Sequence, residues 1–426
     1  MFLQEMPKGA DLHNHVSGAV YAESYIQWAA KGGFCVNLET FALTNPPCDE
    51  ATTPPVAKAL KNEKLYSAIV DALSMRNYFP GQESGHDHFF SAFGEFSAVS
   101  GAYKGDMLAE VASRAAAQHV FYLELMTSFQ ASAVNAIAER VPWSDDLGDS
   151  HRKLIRAGLL EQVPKAQAEL DETEVRMREV LDCGSEEVDP ACSMPIRYLA
   201  QVHRQSTREK VFAQSVFAYE LAKREPRVVG LNFVAPEDSL VSLADYDVHM
   251  GILDYLSGLE NPINVALHAG ELTLGLVPPR YLRSHIAKAV RKGHARRIGH
   301  GVDIAYEENA SALLREMAER KVLVEILLTS NAQILQVKGR DHPFPVYMAA
   351  GVPVTLATDD EGVERIDLTH EYVRAVLDYD LTYDDVKTLS RNGLEYAFLP
   401  GTSLWKTRAP GFEFVEPCEN EHPAKG

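Results

Sequence analysis

Hydrophobic and polar positions repeat along the chain in one order: a short β-branched or apolar run, then a longer stretch with helical spacing. Eight runs read as strands: GADLHNHV (9–16), VFYLELM (120–126), PIRYLAQVH (195–203), VVGLNFV (228–234), INVALHAGE (263–271), RIGHGV (297–302), KVLVEILLTSN (321–331) and VPVTLATDD (352–360). Segments such as 279–293 and 308–321 carry the helical spacing between them. Alternation of this kind predicts an α/β chain whose parallel sheet closes into a (β/α)8 TIM barrel, with an open doubly wound sheet as the structural alternative. Two long stretches, 17–119 and 127–194, interrupt the spacing and read as helical insertions after the first and second strands. The charged run at 165–182 reads as a solvated helix face. Residues 1–405 are therefore expected to form one barrel domain, and 406–426, rich in Pro and Gly, an irregular tail.

Composition narrows the partners. With 41 Lys+Arg against 60 Asp+Glu, the net charge of −19 opposes a nucleic-acid partner. No apolar run approaches the roughly 18–20 residues that cross a bilayer, so no membrane span is expected. The first residues, MFLQEMPKG, lack the charged end and apolar stretch of a signal peptide; Met1 is a native start or stands where a leader was removed. Five cysteines form no CxxC pair. Cys35 with Cys48, and Cys183 with Cys192, each close a short Pro-containing loop and suit disulfides in an oxidising compartment, or else are unpaired thiols. A periplasmic or secreted location is favoured slightly over the cytoplasm, and the insert at 127–194 offers a surface for a homodimer.

The residues that carry chemistry gather at strand ends, where barrel enzymes keep their active sites. His13 and His15 sit two apart on the first strand and so share a face. Structural histidines could give the same pair. The difference is the company they keep: His268 and Glu271 end the fifth strand, His300 the sixth, and Asp359 and Asp360 the eighth. So many buried titratable groups are costly unless something neutralises them, and a metal ion does so. His13, His15, His268 and Asp359 offer three nitrogens and one carboxylate, a set that suits Zn²⁺. A site of that kind lowers the pKa of water toward about 7. Glu271, three residues past a ligand, is placed to move protons, while His300 and Asp359 orient the water and Asp360 faces the substrate. The expected chemistry is metal-assisted hydrolysis. No GxSxG, P-loop, GxGxxG or HExxH pattern competes with it.

Taken together, MPKGADLHNH, HAGE, RIGHG, LLTSN and ATDD resemble the adenosine deaminase family of the amidohydrolase superfamily, in family order over about residues 6–400. The MPKG lead-in resembles the secreted branch, the adenosine deaminase-related growth factors and their bacterial relatives. The resemblance implies one zinc ion on His13, His15, His268 and Asp359, with Glu271 protonating purine N1 and His300 orienting the attacking hydroxide. It further implies that Asp360 meets N7 and that the amide of Gly270 meets N3. Ser330 and Asn331 fall near the metal as supporting groups. Two positions depart from the pattern: Ser17 stands where many members carry an acid, and Ala235 where the family has a ribose-contacting glycine. Adenosine and 2′-deoxyadenosine are the leading substrates, with adenine or a modified adenine next. The cytosine and tRNA-adenosine deaminases differ, since their PCxxC pair is missing here. Rival readings are an amidohydrolase acting on an ester, lactone or amide, and a barrel kept for binding alone.

A second HxH, His86 and His88, precedes Phe89, Phe93 and Phe96 at helical spacing. Residues two apart on a helix diverge, so this pair reads as a cap with core-facing aromatics, or as a lid helix over the purine. His285, His294, His342 and His370 read as structural or exposed.

Overall fold

The computed structural model describes all residues except Met1, Gln82, 407–411, 414 and 416–426. Most of the expected tail at 406–426 therefore lies outside the described residues. Eight parallel strands form one sheet: β1 (Gly9–His15), β2 (Val120–Thr127), β3 (Ile196–His203), β4 (Val228–Val234), β5 (Asn264–Ala269), β6 (Arg297–His300), β7 (Leu323–Ile326) and β8 (Val354–Leu356). Each pairs with its sequence neighbour, so the strand order is sequential, as a TIM barrel requires and an open doubly wound sheet does not. Nearly every strand residue is buried, because one face meets the barrel interior and the other the surrounding helices.

The seam between β1 and β8 closes through a functional residue. Asp359 bridges to Asn14 in parallel register. Its carbonyl accepts from the amide of His15, and its amide donates to the carbonyl of His13, each at 2.9 Å. The eighth strand is thus drawn to the first at the point where their candidate ligands meet.

Several strands stop earlier than the apolar runs suggest. KVLVEILLTSN does not continue as a strand: β7 ends at Ile326, and Leu328–Ile334 is helical. Glu371 explains the switch, since its buried Oε2 accepts from the amides of Leu328 (2.8 Å) and Thr329 (3.3 Å) and so satisfies the first turn. Ser330 and Asn331 consequently ride a helix. Asp359 and Asp360 follow β8 in a turn that opens the short helix Glu361–Glu364. The segment 279–293 is split, a 3-10 turn (Pro279–Arg283) preceding the helix His285–Arg291.

Between β1 and β2 lie helices Ala22–Gly32, Glu63–Ala72, Gly85–Ser100 and Lys104–Ala117, with a two-stranded ribbon of Cys35–Val36 and Leu43–Thr44. Between β2 and β3 the main element is Val163–Val180, which packs on Lys104–Ala117. The charged run there is mostly exposed, but Asp171 and Glu174 also pair with Arg227, at 2.7 and 3.0 Å. Cys35–Cys48 and Cys183–Cys192 are both disulfide-bonded. No helix among the described residues is long and apolar enough to cross a membrane.

Candidate active site

The strand ends converge on one buried cluster. His13 Nε2 lies 3.1 Å from His268 Nε2 and 3.4 Å from Asp359 Oδ1. His15 Nε2 lies 3.2 Å from His268 Nε2 and 3.4 Å from the same carboxylate oxygen. Donors about 2.0–2.1 Å from one shared ion lie roughly 3.0–3.4 Å apart, so this spacing suits a small cation.

The far side of each ring is held by a polar partner. His13 Nδ1 is 2.7 Å from Glu325 Oε2, and His268 Nδ1 is 2.8 Å from Asn232 Oδ1, which also accepts from the His268 amide. At His15 the direction is reversed, Gln201 Nε2 donating to Nδ1 at 2.8 Å. For His13 and His268, acceptors of this kind fix Nδ1 as the protonated nitrogen and leave the two Nε2 lone pairs facing one another. Lone pairs 3.1 Å apart repel unless a cation lies between them. The carboxylate is held too, Ser330 Oγ donating to Asp359 Oδ2 at 2.7 Å. Burial pulls the His13 pKa down, but the hydrogen bonds to Asp359 and Glu325 outweigh it and raise it to about 10. The donor set therefore fits a metal.

Beneath His13 runs a fully buried ion network. Glu325 pairs with Arg297 at 2.7 Å, and Arg297 with Glu124 at 2.7 Å. Gly299 leaves room for the His13 ring, as a Cβ there would lie 2.4 Å from His13 Cε1.

Around the cluster sits a cavity of about 370 Å³. His15, His268, Glu271, His300, Asp359 and Asp360 line its floor; Phe89, Phe90 and Phe93 come from helix Gly85–Ser100; and Ser17, Gln201, His203, Gln205 and Ala235 complete it. Among the described residues, neither a Lys nor an Arg lines it. Two polar atoms in this region are buried without a protein partner, His300 Nε2 and Asp360 Oδ1. Buried polar atoms are seldom left unpaired, and these two mark where a ligand's atoms belong. Gly18 lets Asp360 occupy its place, since a Cβ on residue 18 would overlap the Asp360 carboxyl.

Glu271 is buried, with Oε1 3.7 Å from His300 Nδ1. Burial first, then the charges of Asp359 and Glu237, push its pKa well above the usual carboxylate range. Both causes favour its protonated form, the form that can donate a proton. Burial and the neighbouring Asp359 raise Asp360 in the same way. Burial holds His300 down to about 3, so its ring is neutral.

Glu237 controls the backbone that carries Glu271. Its Oε2 accepts from the Glu271 amide at 2.9 Å; its Oε1 accepts from the Gly270 amide at 3.2 Å and from His285 Nδ1 at 2.6 Å. The Gly270 amide, expected to meet purine N3, is thus turned to a protein carboxylate, and Gly270 does not line the cavity. Burial favours a neutral Glu237, but His285 and Arg204 hold its carboxyl below the usual range. The chain turns sharply at these strand ends: Ala235, Gly270, His300 and Asp359 all have positive φ, between 62° and 80°. Non-glycine residues in that region are uncommon and gather at functional sites.

The second HxH binds no common partner. His86 Nε2 pairs with Asp238 at 2.9 Å, while His88 turns to Glu83 and the Ser74 carbonyl. Ser84 is the cap, accepting from the Asp87 amide, and the His86–Asp238 pair ties the covering helix to the turn after β4.

A profile of the family described as adenosine deaminase matches residues 59–406. The chain belongs to the adenosine deaminase family. Its buried His/Asp cluster is a candidate metal site. The match begins after β1, so His13 and His15 rest on the geometry above. An adenosine deaminase from Enterococcus faecalis is 36% identical over 177 residues, 41% of this chain and 47% of that protein. The matched stretch is thus about half of that relative. Among solved structures, the N6-methyl-AMP deaminase of Arabidopsis thaliana superposes with a TM-score of 0.59 at 19% identity, covering 93% of this chain and 94% of that one. The adenine deaminase of Arthrobacter aurescens gives 0.58 at 16% identity, covering 93% and 95%. These two likenesses concern the fold alone.

Glu237, Glu325, Asn232, Gln201 and His342 were not singled out from the sequence as site residues. Glu325 and Asn232 left a signal there, each being the polar residue inside an apolar strand run (VLVEILL, GLNFV).

Proposed function

We propose that the protein is a zinc-dependent deaminase of adenosine and 2′-deoxyadenosine, releasing inosine or 2′-deoxyinosine and ammonia. One observation carries this reading. A four-donor cluster, the buried carboxyl of Glu271 and the two unpartnered atoms His300 Nε2 and Asp360 Oδ1 lie together at one cavity. Zinc bound to His13, His15, His268 and Asp359 would supply hydroxide at neutral pH.

The protein groups do the rest. Glu271 gives its proton to purine N1, which withdraws electrons from C6 and opens it to attack. His300 holds the attacking oxygen through Nε2–H. Asp360 and N7 share one proton, orienting the ring. The proton left by the nucleophile then passes to the departing amine, which leaves as ammonia. Phe89, Phe90 and Phe93 cover the ring and exclude water.

That no Lys or Arg among the described residues lines the cavity supports a nucleoside over a nucleotide, because a buried phosphate needs paired cations. Ser17, Gln201, His203 and Gln205 give the cavity hydroxyl-binding groups that free adenine would leave unused. The two disulfides support an oxidising compartment as the site of action. Ammonia release from adenosine, 2′-deoxyadenosine, adenine and AMP by zinc-loaded protein tests the reading. Both nucleosides should be turned over at least about 100-fold more efficiently than AMP or adenine, and a chelator should abolish it. Preference for AMP or for adenine would overturn the substrate assignment.

A further inference from the structure

His300 is supported by a chain of three hydrogen bonds whose directions can be worked out from its far end. The Phe344 amide lies 3.1 Å from His342 Nδ1. A backbone N–H can only donate, so His342 Nδ1 carries a lone pair and the ring proton is on Nε2. That Nε2 lies 3.0 Å from Asn331 Oδ1, which accepts it and fixes the carboxamide. The Asn331 amide group is then turned to His300, its Nδ2 donating to Nδ1 at 2.9 Å. His300 Nδ1 must therefore be a lone pair. The ring proton sits on Nε2, the buried atom with no protein partner, 3.9 Å from Asp359 Oδ2.

We infer that His342 and Asn331 are positioning residues that lock His300 into one tautomer, a neutral ring donating from Nε2 toward the reacting atoms. The inference rests on the deaminase reading of this cavity. Its consequence is a restriction. Nε2 already bears a proton, and Nδ1 cannot take one while Asn331 donates to it. His300 thus holds the oxygen nucleophile but does not deprotonate it, and the carboxyl groups of the site carry all proton traffic. Burial of His342, with Arg374 nearby, holds its pKa to about 3, in keeping with a neutral relay.

Two substitutions separate positioning from bulk structure. N331D replaces the donor with a second acceptor, so His300 should move its proton to Nδ1 and present a lone pair to the nucleophile. An imposed wrong tautomer costs a Ser-His-Asp triad about 10⁴-fold. N331D should lower kcat by at least about 100-fold while KM and zinc content stay within about threefold. H342F should lower kcat at least tenfold, and H342Q, whose amide both accepts and donates, should restore it to within about fivefold of the parent. The variant-free readout is the nitrogen spectrum of ¹⁵N-histidine protein: His300 Nδ1 should appear as pyridine-type and Nε2 as pyrrole-type, exchanging roles in N331D. A pyrrole-type Nδ1 in the parent, or full kcat in N331D, would overturn the inference. The spectrum needs no substrate, so it fails or succeeds separately from the choice of purine.

Discussion

Glu237→Gln probes the link between fold and chemistry most sharply. Glu237 is buried and holds the amides of Gly270 and Glu271 with one carboxylate. The isosteric amide keeps one acceptor oxygen but turns an N–H toward one of those N–H groups. Hydrogen bonds to charged groups contribute about 1.5–3 kcal/mol, and a buried donor left facing another donor costs about 1–3 kcal/mol. The loop can relieve this by shifting, which moves the Glu271 carboxyl. A displacement near 1 Å costs about 100-fold in rate, or about 2.7 kcal/mol. We expect E237Q to lower kcat by roughly that factor with KM and bound metal little changed. The assay is a double-mutant cycle with E271Q, measured as ammonia release well below the melting temperature. E271Q alone should cost about 10²–10⁴-fold, the contribution of a positioned acid. If Glu237 works through Glu271, adding E237Q to E271Q should cost less than about threefold, a coupling near 2 kcal/mol. Equal losses in both backgrounds would refute the reasoning and make Glu237 a general structural support.

Three further outcomes are expected. His86, partly buried, has its pKa raised to about 9 because Asp238 and Asp87 outweigh burial. Its stabilising effect is full below about pH 6.5 and is lost as pH rises through about 9. The melting temperature should fall over that window, H86Q should flatten the fall, and an unchanged profile would count against the tie. E325Q leaves His13 Nδ1 with a neutral partner and should weaken zinc binding about 10–100-fold in a chelator competition, whereas unchanged affinity would deny Glu325 that role. Thiol titration of the unfolded, unreduced protein should find one free cysteine of the five; five reactive thiols would contradict the oxidised state.

Much of the barrel is legible in the sequence because parallel strands buried on both faces leave apolar runs, and the residues ending them are conspicuously polar. His13, His15, His268 and Asp359 are found that way, and the structure brings them into one cluster. Strand ends are less legible. LLTSN continues an apolar run, and only the buried Glu371, some 40 residues away in the chain, turns it into a helix. Glu237 and His342 are silent in the sequence for a related reason. Each is tied to the site by partners distant in the chain: Glu237 bonds the Glu271 amide, 34 residues on, and His342 bonds Asn331, 11 residues back. Gly270 shows the limit of motif transfer: its amide is near the site, but a carboxylate no motif mentions has taken it.

The account stands on one buried metal centre driving deamination, and stepwise reconstitution tests it most directly. Metal-free protein would be titrated with Zn²⁺ while ammonia release from adenosine and bound metal are followed together. Activity should rise from background in proportion to metal and level off at one equivalent per chain, with H268A taking up none at this site and remaining inactive. Full turnover by metal-free protein, or a plateau of zinc binding with no deamination of any purine, would contradict it.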